Sequence, residues 1–339
     1  MDKIKVSVIV PVYNGSKYIS TSLYSIINQN FKDFELIIIN DGSTDDSLDI
    51  ISEILSNEDI NYQIITQENK GASNARNHGL KLAKGDYILF VDVDDYIEKN
   101  HIKYLYNELC DNNTDFSFSK LLKIDLNKKI LTDENQYNKL ENKNVLSTLE
   151  LIKMDLEMKI PFSFSQILYK TSILKENNLY FNENYVYGED TDFALRALFC
   201  GENVSIVEKP TYFYLQHENS ATSNLYLNRF EIIKIFENLS FYFKGTDKCD
   251  YSEEIKDLLM LIKYNRIPKA IFGNLMYFFY RGYDLNEILD EMEKLDLFSK
   301  LSRFKIRSLK DILFLLKSKV FLINPKIYYK IWKKLKNSI

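Results

Sequence analysis

At 339 residues and 40.0 kDa, the chain can bury a full core and still carry a second, smaller unit. Hydrophobic residues at 45% and charged residues at 27% are ordinary for a folded soluble protein, and no run reaches the ~20 apolar residues that would cross a bilayer. The net charge of −4 hides an asymmetry: residues 303–336 hold 11 Lys/Arg against one acid, Asp311, so this +10 stretch leaves −14 for the rest.

Residues 5–13 are a β-rich run broken only by Pro11, too short for the core of a signal peptide, and they read as a buried first strand in a protein that stays in the cytoplasm. Residues 17–28 follow as a helix, with Tyr18, Leu23, Ile26 and Ile27 apolar. FELIIIN (34–40) is near-continuously apolar, as in a parallel strand covered on both faces. Residues 45–56 are helical with Leu48, Ile51 and Leu55 on one face, 61–66 form a third strand, and 71–83 a helix that stops at Lys84-Gly85. The fourth strand is DYILFVDV. This βαβαβαβ order predicts an α/β fold, a doubly wound, mostly parallel sheet with helices on both faces.

Beyond it, the polar, Asn/Lys-rich stretch at about 126–160 is expected to contain a loop. Strands are expected at 164–170 and 203–216 around a helix near 190–200. From about 226 the pattern is almost wholly helical, so the boundary is set near 225, between a nucleotide-binding domain at 1–225 and a helical region at 226–339. The three cysteines, Cys110, Cys200 and Cys249, have no CxxC or Cys/His spacing, which argues against a disulfide framework or zinc site. The 24 Tyr and 22 Phe against one Trp suit stacking surfaces, and equally a genome rich in Asn, Lys, Ile and Tyr codons.

Ligands of such sheets bind beyond the carboxyl ends of the strands, where Tyr13, Asp41 and residues 92–95 fall. In VDVDD (91–95), strand alternation puts Asp92 and Asp94 on one face. Two such carboxylates repel unless a cation sits between them, and Mg2+ or Mn2+ bridging a diphosphate supplies one. The plainer alternative is an acidic turn in which Asp95 caps the next helix. In NDGSTDDS (40–47), Ser43, Thr44 and Asp45 can all cap a helix, whereas Asp41 precedes the cap and can accept the imide N–H of a uracil. Tyr13, in PVYNG, can stack on a base or belong to the core.

In NKGASNARNHGL (69–80), Arg76 can bind a phosphate, orient Asp92 or stand solvated, and Lys70 is a further candidate for the base or phosphate pocket. YGEDTDFALRAL (187–198) sets Glu189, Asp190 and Asp192 at a helix N-terminus, where the helix dipole favours acids in any case. Its functional reading is Asp190 as general base toward an acceptor hydroxyl. His217, after an aromatic strand, is a candidate for metal or phosphate. No Walker loop and no GxGxxG occurs, so ATP hydrolysis and NAD chemistry have no support.

Taken in order, VSVIVPVYNGSKYISTSLYSIINQ, ELIIINDGSTDDS, NKGASNARNHGL, GDYILFVDVDD and YGEDTDF resemble the inverting family 2 glycosyltransferases of bacterial surface polysaccharide, capsule and lipopolysaccharide synthesis, which have the GT-A fold. The likeness is close over residues 4–100 and looser to 224. It implies a single displacement at the anomeric carbon of a UDP-sugar, with Mn2+ or Mg2+ assisting, and a hexosyl or N-acetylhexosaminyl group passed to a glycan or lipid-linked glycan. By that resemblance Pro11, Tyr13 and Asp41 line the nucleoside pocket, Lys70 and Arg76 lie near base and phosphates, and Asp92 and Asp94 are the DxD pair with Asp94 the direct metal ligand. Asp190 is then the base, and His217 falls where GT-A enzymes place a histidine on metal or diphosphate. A nucleotidylyltransferase would carry a Gly-rich basic loop where Tyr13-Asn14-Gly15-Ser16 stands, and a non-catalytic scaffold would be expected to have lost these carboxylates.

Nothing around the basic C-terminus suggests nucleic acid. After Pro325, residues 326–336 form a basic amphipathic segment that can lie on a membrane face with Trp332 and the tyrosines at headgroup depth, pack on the protein, or join two copies as a homodimer.

Overall fold

The computed structural model describes residues 4–132, 134–217, 227–245 and 252–336. The chain divides into two compact units: Met1–Tyr185 with Glu189–Ser223, and Val186–Gly188 with Asn224–Ile339. The expected boundary near 225 lies outside the described residues.

The first unit runs β1 (Val6–Val12), α1 (Ile19–Ile27), β2 (Phe34–Asn40), α2 (Ser47–Leu55), β3 (Asn61–Thr66), α3 (Ala72–Leu82), β4 (Tyr87–Phe90), β5 (Tyr96–Ile97), α4 (His101–Asn112), β6 (Phe116–Ile124), β7 (Val145–Ser147), α5 (Thr148–Leu156), β8 (Ile167–Lys170), α6 (Thr171–Glu176), α7 (Glu189–Cys200) and β9 (Asn203–Leu215). The strands form one sheet in the order β3-β2-β1-β4-β8-β6-β9-β5, with β7 also on β9. Its first half is parallel, with Val6 opposite Phe34 and opposite Tyr87. Its second half is mixed, β8 running antiparallel to β4 and β6 while β9 runs parallel to β6. The parallel character read from the sequence therefore belongs to the half that carries the βα repeats.

Every residue of β1 and β2 is buried, because helices cover both faces. Val6, Val8, Val10 and Val12 share a core with Leu23, Ile51, Leu55 and Leu105 from α1, α2 and α4, while α3 packs on the opposite face. An aromatic cluster, Phe90, Phe164, Tyr169, Phe181 and Phe193, fills the space beside β4; Phe181 and Phe193 stack at 4.0 Å. The polar stretch expected to contain a loop also holds a 3-10 turn (Glu134–Leu140), β7 and α5. Tyr137 is the reason: its buried hydroxyl accepts from Leu121 N at 3.0 Å and meets Gln166, tying the segment to β6. Cys110 is a free thiol, and Cys249 lies outside the described residues.

The second unit is helical: α8 (Glu231–Gly245), α9 (Glu253–Leu261), α10 (Ile267–Arg281), α11 (Leu285–Lys294), α12 (Leu297–Ser302), α13 (Asp311–Ile323) and α14 (Pro325–Lys336). A π turn, Ile262–Arg266, joins α9 to α10 just before Pro268, whose ring cannot donate a backbone bond and crowds the carbonyl one turn back. Gly188 belongs to this unit with φ +86°, and a Cβ there would meet Ile232 Cδ1 at 2.7 Å. Trp332 and Tyr329 pack on Phe279 of α10. No helix among the described residues is long and apolar enough to cross a membrane.

Candidate active site

The loops after β1 and β2 are stitched together by short polar side chains. Asn14 N donates to Ser43 Oγ at 3.1 Å, Gly15 N to Ser47 Oγ at 2.9 Å and Ser16 N to Asp45 Oδ2 at 3.0 Å. Asn14 returns the favour by accepting from Thr44 N at 2.8 Å. Burial would raise the Asp45 carboxyl, but bonds from Ser47 and Ser16 outweigh it and bring it down to about 2. Ser43 and Thr44, expected to cap α2, thus bind the neighbouring loop, while Asp45 does both, its Oδ1 also accepting from Ser47 N at the start of α2 at 3.1 Å. Gly15 is obligatory here for space, since a Cβ would sit 2.5 Å from Val93 Cγ2 in the acidic turn.

Pro11 is buried within β1, and Tyr13, at its exit, is 51% exposed, so its ring is not core. Asp41, at the end of β2, is buried and already bonded: Oδ1 accepts from Gln67 Nε2 at 2.8 Å and Lys70 N at 2.9 Å, Oδ2 from Gly71 N at 2.8 Å. With about four lone-pair sites on a carboxylate, one acceptor position on Oδ2 is left. Asp41 therefore shapes the turn into α3, and the Lys70 side chain stands exposed beside it.

The acidic turn differs from its sequence reading. β4 ends at Phe90, and residues 92–95 form a turn closed by Asp95 N to Asp92 O at 3.1 Å, so strand alternation does not pair Asp92 with Asp94. Each acid has its own partner instead. Asp92 Oδ1 receives Arg76 Nη2 at 2.8 Å. Asp94 Oδ2 lies 2.9 Å from His217 Nε2. Asp95, wholly buried, accepts from Tyr212 Oη at 2.7 Å and Leu215 N at 3.0 Å, clamping the turn to β9 rather than capping a helix. Burial, then the neighbouring Asp92, raises the Asp94 carboxyl; burial, then Asp94, raises that of Asp95 well above its usual value. His217 is held on its other side by Tyr18, with Nδ1 at 3.2 Å from the hydroxyl and the rings stacked at 4.4 Å.

Arg76 joins the acidic turn to α7. Its guanidinium lies over Phe164 at 4.5 Å and Phe181 at 5.3 Å, donates to Asp92, and donates through Nη1 to Glu189 Oε1 at 3.2 Å. Desolvation would lower it, but Asp92 and then Glu189 raise it further. Of the acids opening α7, Asp192 is locked by Arg196 at 2.6 Å, whereas the hydrogen bonds to Asp190 come from Thr191, whose N–H is at 2.7 Å. Burial raises Asp190, and burial followed by Asp190 raises Glu189 to about 7. The structure thus brings Arg76, Asp92, Glu189 and Asp190 into one charged group and Asp94, His217 and Tyr18 into a second, on the same turn. Tyr18 and Glu189 were not singled out from the sequence; only the adjacency of Glu189 to Asp190 hinted at it.

With the sheet, the acidic turn and the α7 acids in view, one comparison decides the family: the profile of glycosyl transferase family 2 matches residues 7–176. The chain belongs to glycosyl transferase family 2. Among curated family 2 relatives, it is 32% identical over 220 residues to the uncharacterized glycosyltransferase EpsJ of Bacillus subtilis, covering 64% of this chain and 62% of that one. It is 33% identical over 217 residues to the poly(ribitol-phosphate) beta-glucosyltransferase of Bacillus spizizenii, covering 62% of this chain and 32% of that protein. It therefore spans less than two thirds of either. The crystal structure of S. aureus TarS 1–349 in complex with UDP-GlcNAc superposes with a TM-score of 0.70 at 24% identity, covering 88% of this chain and 81% of that one, which identifies the family's GT-A fold here.

Proposed function

We propose that the chain is an inverting glycosyltransferase that moves a hexosyl or N-acetylhexosaminyl group from a UDP-sugar to a hydroxyl of a glycan or lipid-linked glycan. The observation that carries this is the double grip on the acidic turn, Arg76 on Asp92 and His217 on Asp94, at the ligand-binding edge of a family 2 sheet beside Asp190. The ligand in the TarS structure, UDP-GlcNAc, favours uridine. On this reading Tyr13 offers its exposed ring to the base, and the remaining acceptor position of Asp41 takes the imide N–H, with Pro11 and Lys70 flanking.

No cluster of three metal-binding side chains exists among the described residues, but Mn2+ or Mg2+ on a diphosphate needs only one or two carboxylates, with phosphate oxygens completing the shell. The donor set fits a hard cation: Asp94 is a carboxylate that burial and the neighbouring Asp92 disfavour as a lone anion, with the His217 imidazole beside it. Such an ion would neutralise charge on the departing diphosphate. Asp190, raised by burial, accepts the acceptor's hydroxyl proton as that oxygen bonds the anomeric carbon from the face opposite UDP. The carbon–oxygen bond to phosphate breaks, and the sugar inverts without a covalent intermediate. Nothing favours a nucleotidylyltransferase, because the N–H groups of residues 14–16 that would cradle a triphosphate are taken by Ser43, Ser47 and Asp45. Incubating the protein with UDP-, GDP- and CDP-sugars and following nucleotide release tests the reading. Release from a UDP-sugar, dependent on divalent metal, is expected; preferential release from a GDP- or CDP-sugar would contradict it.

A further inference from the structure

We propose that the outward faces of α13 and α14 form a docking surface for an anionic lipid bilayer, a role beyond the transfer chemistry and resting on residues outside its site. On α13 only Asp311, Ser318 and Phe321 are buried. Asp311 is tied down by Lys269 at 2.9 Å and by Arg307 N at 2.8 Å, and Phe321 stacks on Phe298 and meets Phe272. The opposite side exposes Ile312, Leu313, Leu316, Val320 and Ile323, the last at 83%. Helical spacing places these five on one stripe, with Lys319 along one edge and Lys317 along the other.

α14 repeats the arrangement. Tyr329 and Trp332 turn inward onto Phe279, while Ile327, Ile331 and Leu335, spaced four apart, are each more than half exposed. Lys326, Lys330 and Lys333 occupy the adjoining side. A contiguous aliphatic stripe bare to water marks an interaction surface. Its occupant is indicated by charge. The stripes offer no hydrogen-bonding side chain, and their lysine borders lie in a stretch of net charge +10. A second copy meeting the same face would set lysine against lysine, whereas anionic headgroups over an acyl interior match both the cationic borders and the apolar middle.

The test is sedimentation of the full chain with vesicles of phosphatidylcholine alone or mixed with phosphatidylglycerol, with variants at exposed positions that leave the core intact. Binding is expected to the mixed vesicles and to fall with added salt. Lys317→Gln with Lys319→Gln should weaken it about fivefold per charge removed, and Leu316→Ser with Ile323→Ser should weaken it on the order of tenfold or more, both with unchanged melting temperature and circular dichroism. Failure to sediment with the mixed vesicles would overturn the proposal, as would binding insensitive to both variants. So would sedimentation-velocity evidence of a dimer that the Leu316/Ile323 variant dissociates, since the face would then belong to a second copy.

Discussion

Arg76 is the residue on which most of the charged network converges. It satisfies two carboxylates, Asp92 and Glu189, that would otherwise repel, while its flat face rests on Phe164 and Phe181. A lysine is a point charge without the planar fork, so it cannot span both acids or stack in the same way. Arg76→Ala should cost about 2–4 kcal/mol in denaturant melts by leaving two half-buried acids without their cation, and Arg76→Lys should fold better yet recover little transfer. The α7 acids separate in the same manner. Asp190→Asn is expected to lower transfer by about 10²–10⁴-fold with UDP affinity nearly unchanged. Asp192→Asn, which loosens Arg196, should lower the melting temperature and spare turnover. His101 offers a pH signature apart from the site: it is fully buried, bonded to Thr211 at 2.7 Å, and burial lowers its pKa to about 3. The unfolded chain takes up a proton near pH 6.5 that the folded one refuses. Its contribution is therefore complete above that pH and is lost by about 1.4 kcal/mol per pH unit as the pH falls from 6.5 toward 3. Raised carboxyls, Glu189 at about 7 among them, add a slope of opposite sign, so the His101 slope should appear as the difference in unfolding free energy between the parent chain and His101→Gln across that range.

At the scale of elements, the loops that build the site are fixed by close approach more than by propensity. Gly15 lets the β1 exit pass Val93, so Gly15→Ala should push the acidic turn away and weaken donor binding, while Val93→Ala in the same chain should restore it. Calorimetric titration of the single and double variants with UDP checks this, and equal affinities throughout would refute the steric link. The first four strands and three helices were legible because apolar runs and 3.6-residue periodicity report burial directly. The acidic turn was legible as chemistry but not as geometry. Where a strand ends depends on its partners, and β4 loses its β1 partner after Phe90. β6 was passed over although FSFSKLLKI alternates at first, and Ser117 and Ser119 on its polar side are buried like the apolar residues opposite. Asp41 illustrates the remaining limit, since nothing in NDGS tells that its carboxylate is claimed by residues 67, 70 and 71.

For the whole molecule, the two units differ in what sequence reasoning reaches. In the first, elements far apart in sequence meet at the sheet's carboxyl edge, and the order of motifs sufficed to identify the family. His217 reaches Asp94 across 123 positions of sequence, a contact that only the long strand β9, pairing with β5, β6 and β7, sets up. In the helical unit, composition announced helices and basic charge, but which side of α13 and α14 stays bare could only be settled by where Phe321 and Trp332 pack. Binding of a UDP-sugar through the Asp92–Asp95 turn with a divalent ion is tested most directly by calorimetry with UDP, GDP and CDP, each with Mn2+ and with chelator. UDP is expected to bind tightest, weakened by chelator and by Asp94→Ala; GDP binding as tight as UDP, or UDP binding indifferent to both chelator and Asp94→Ala, would contradict this role of the turn.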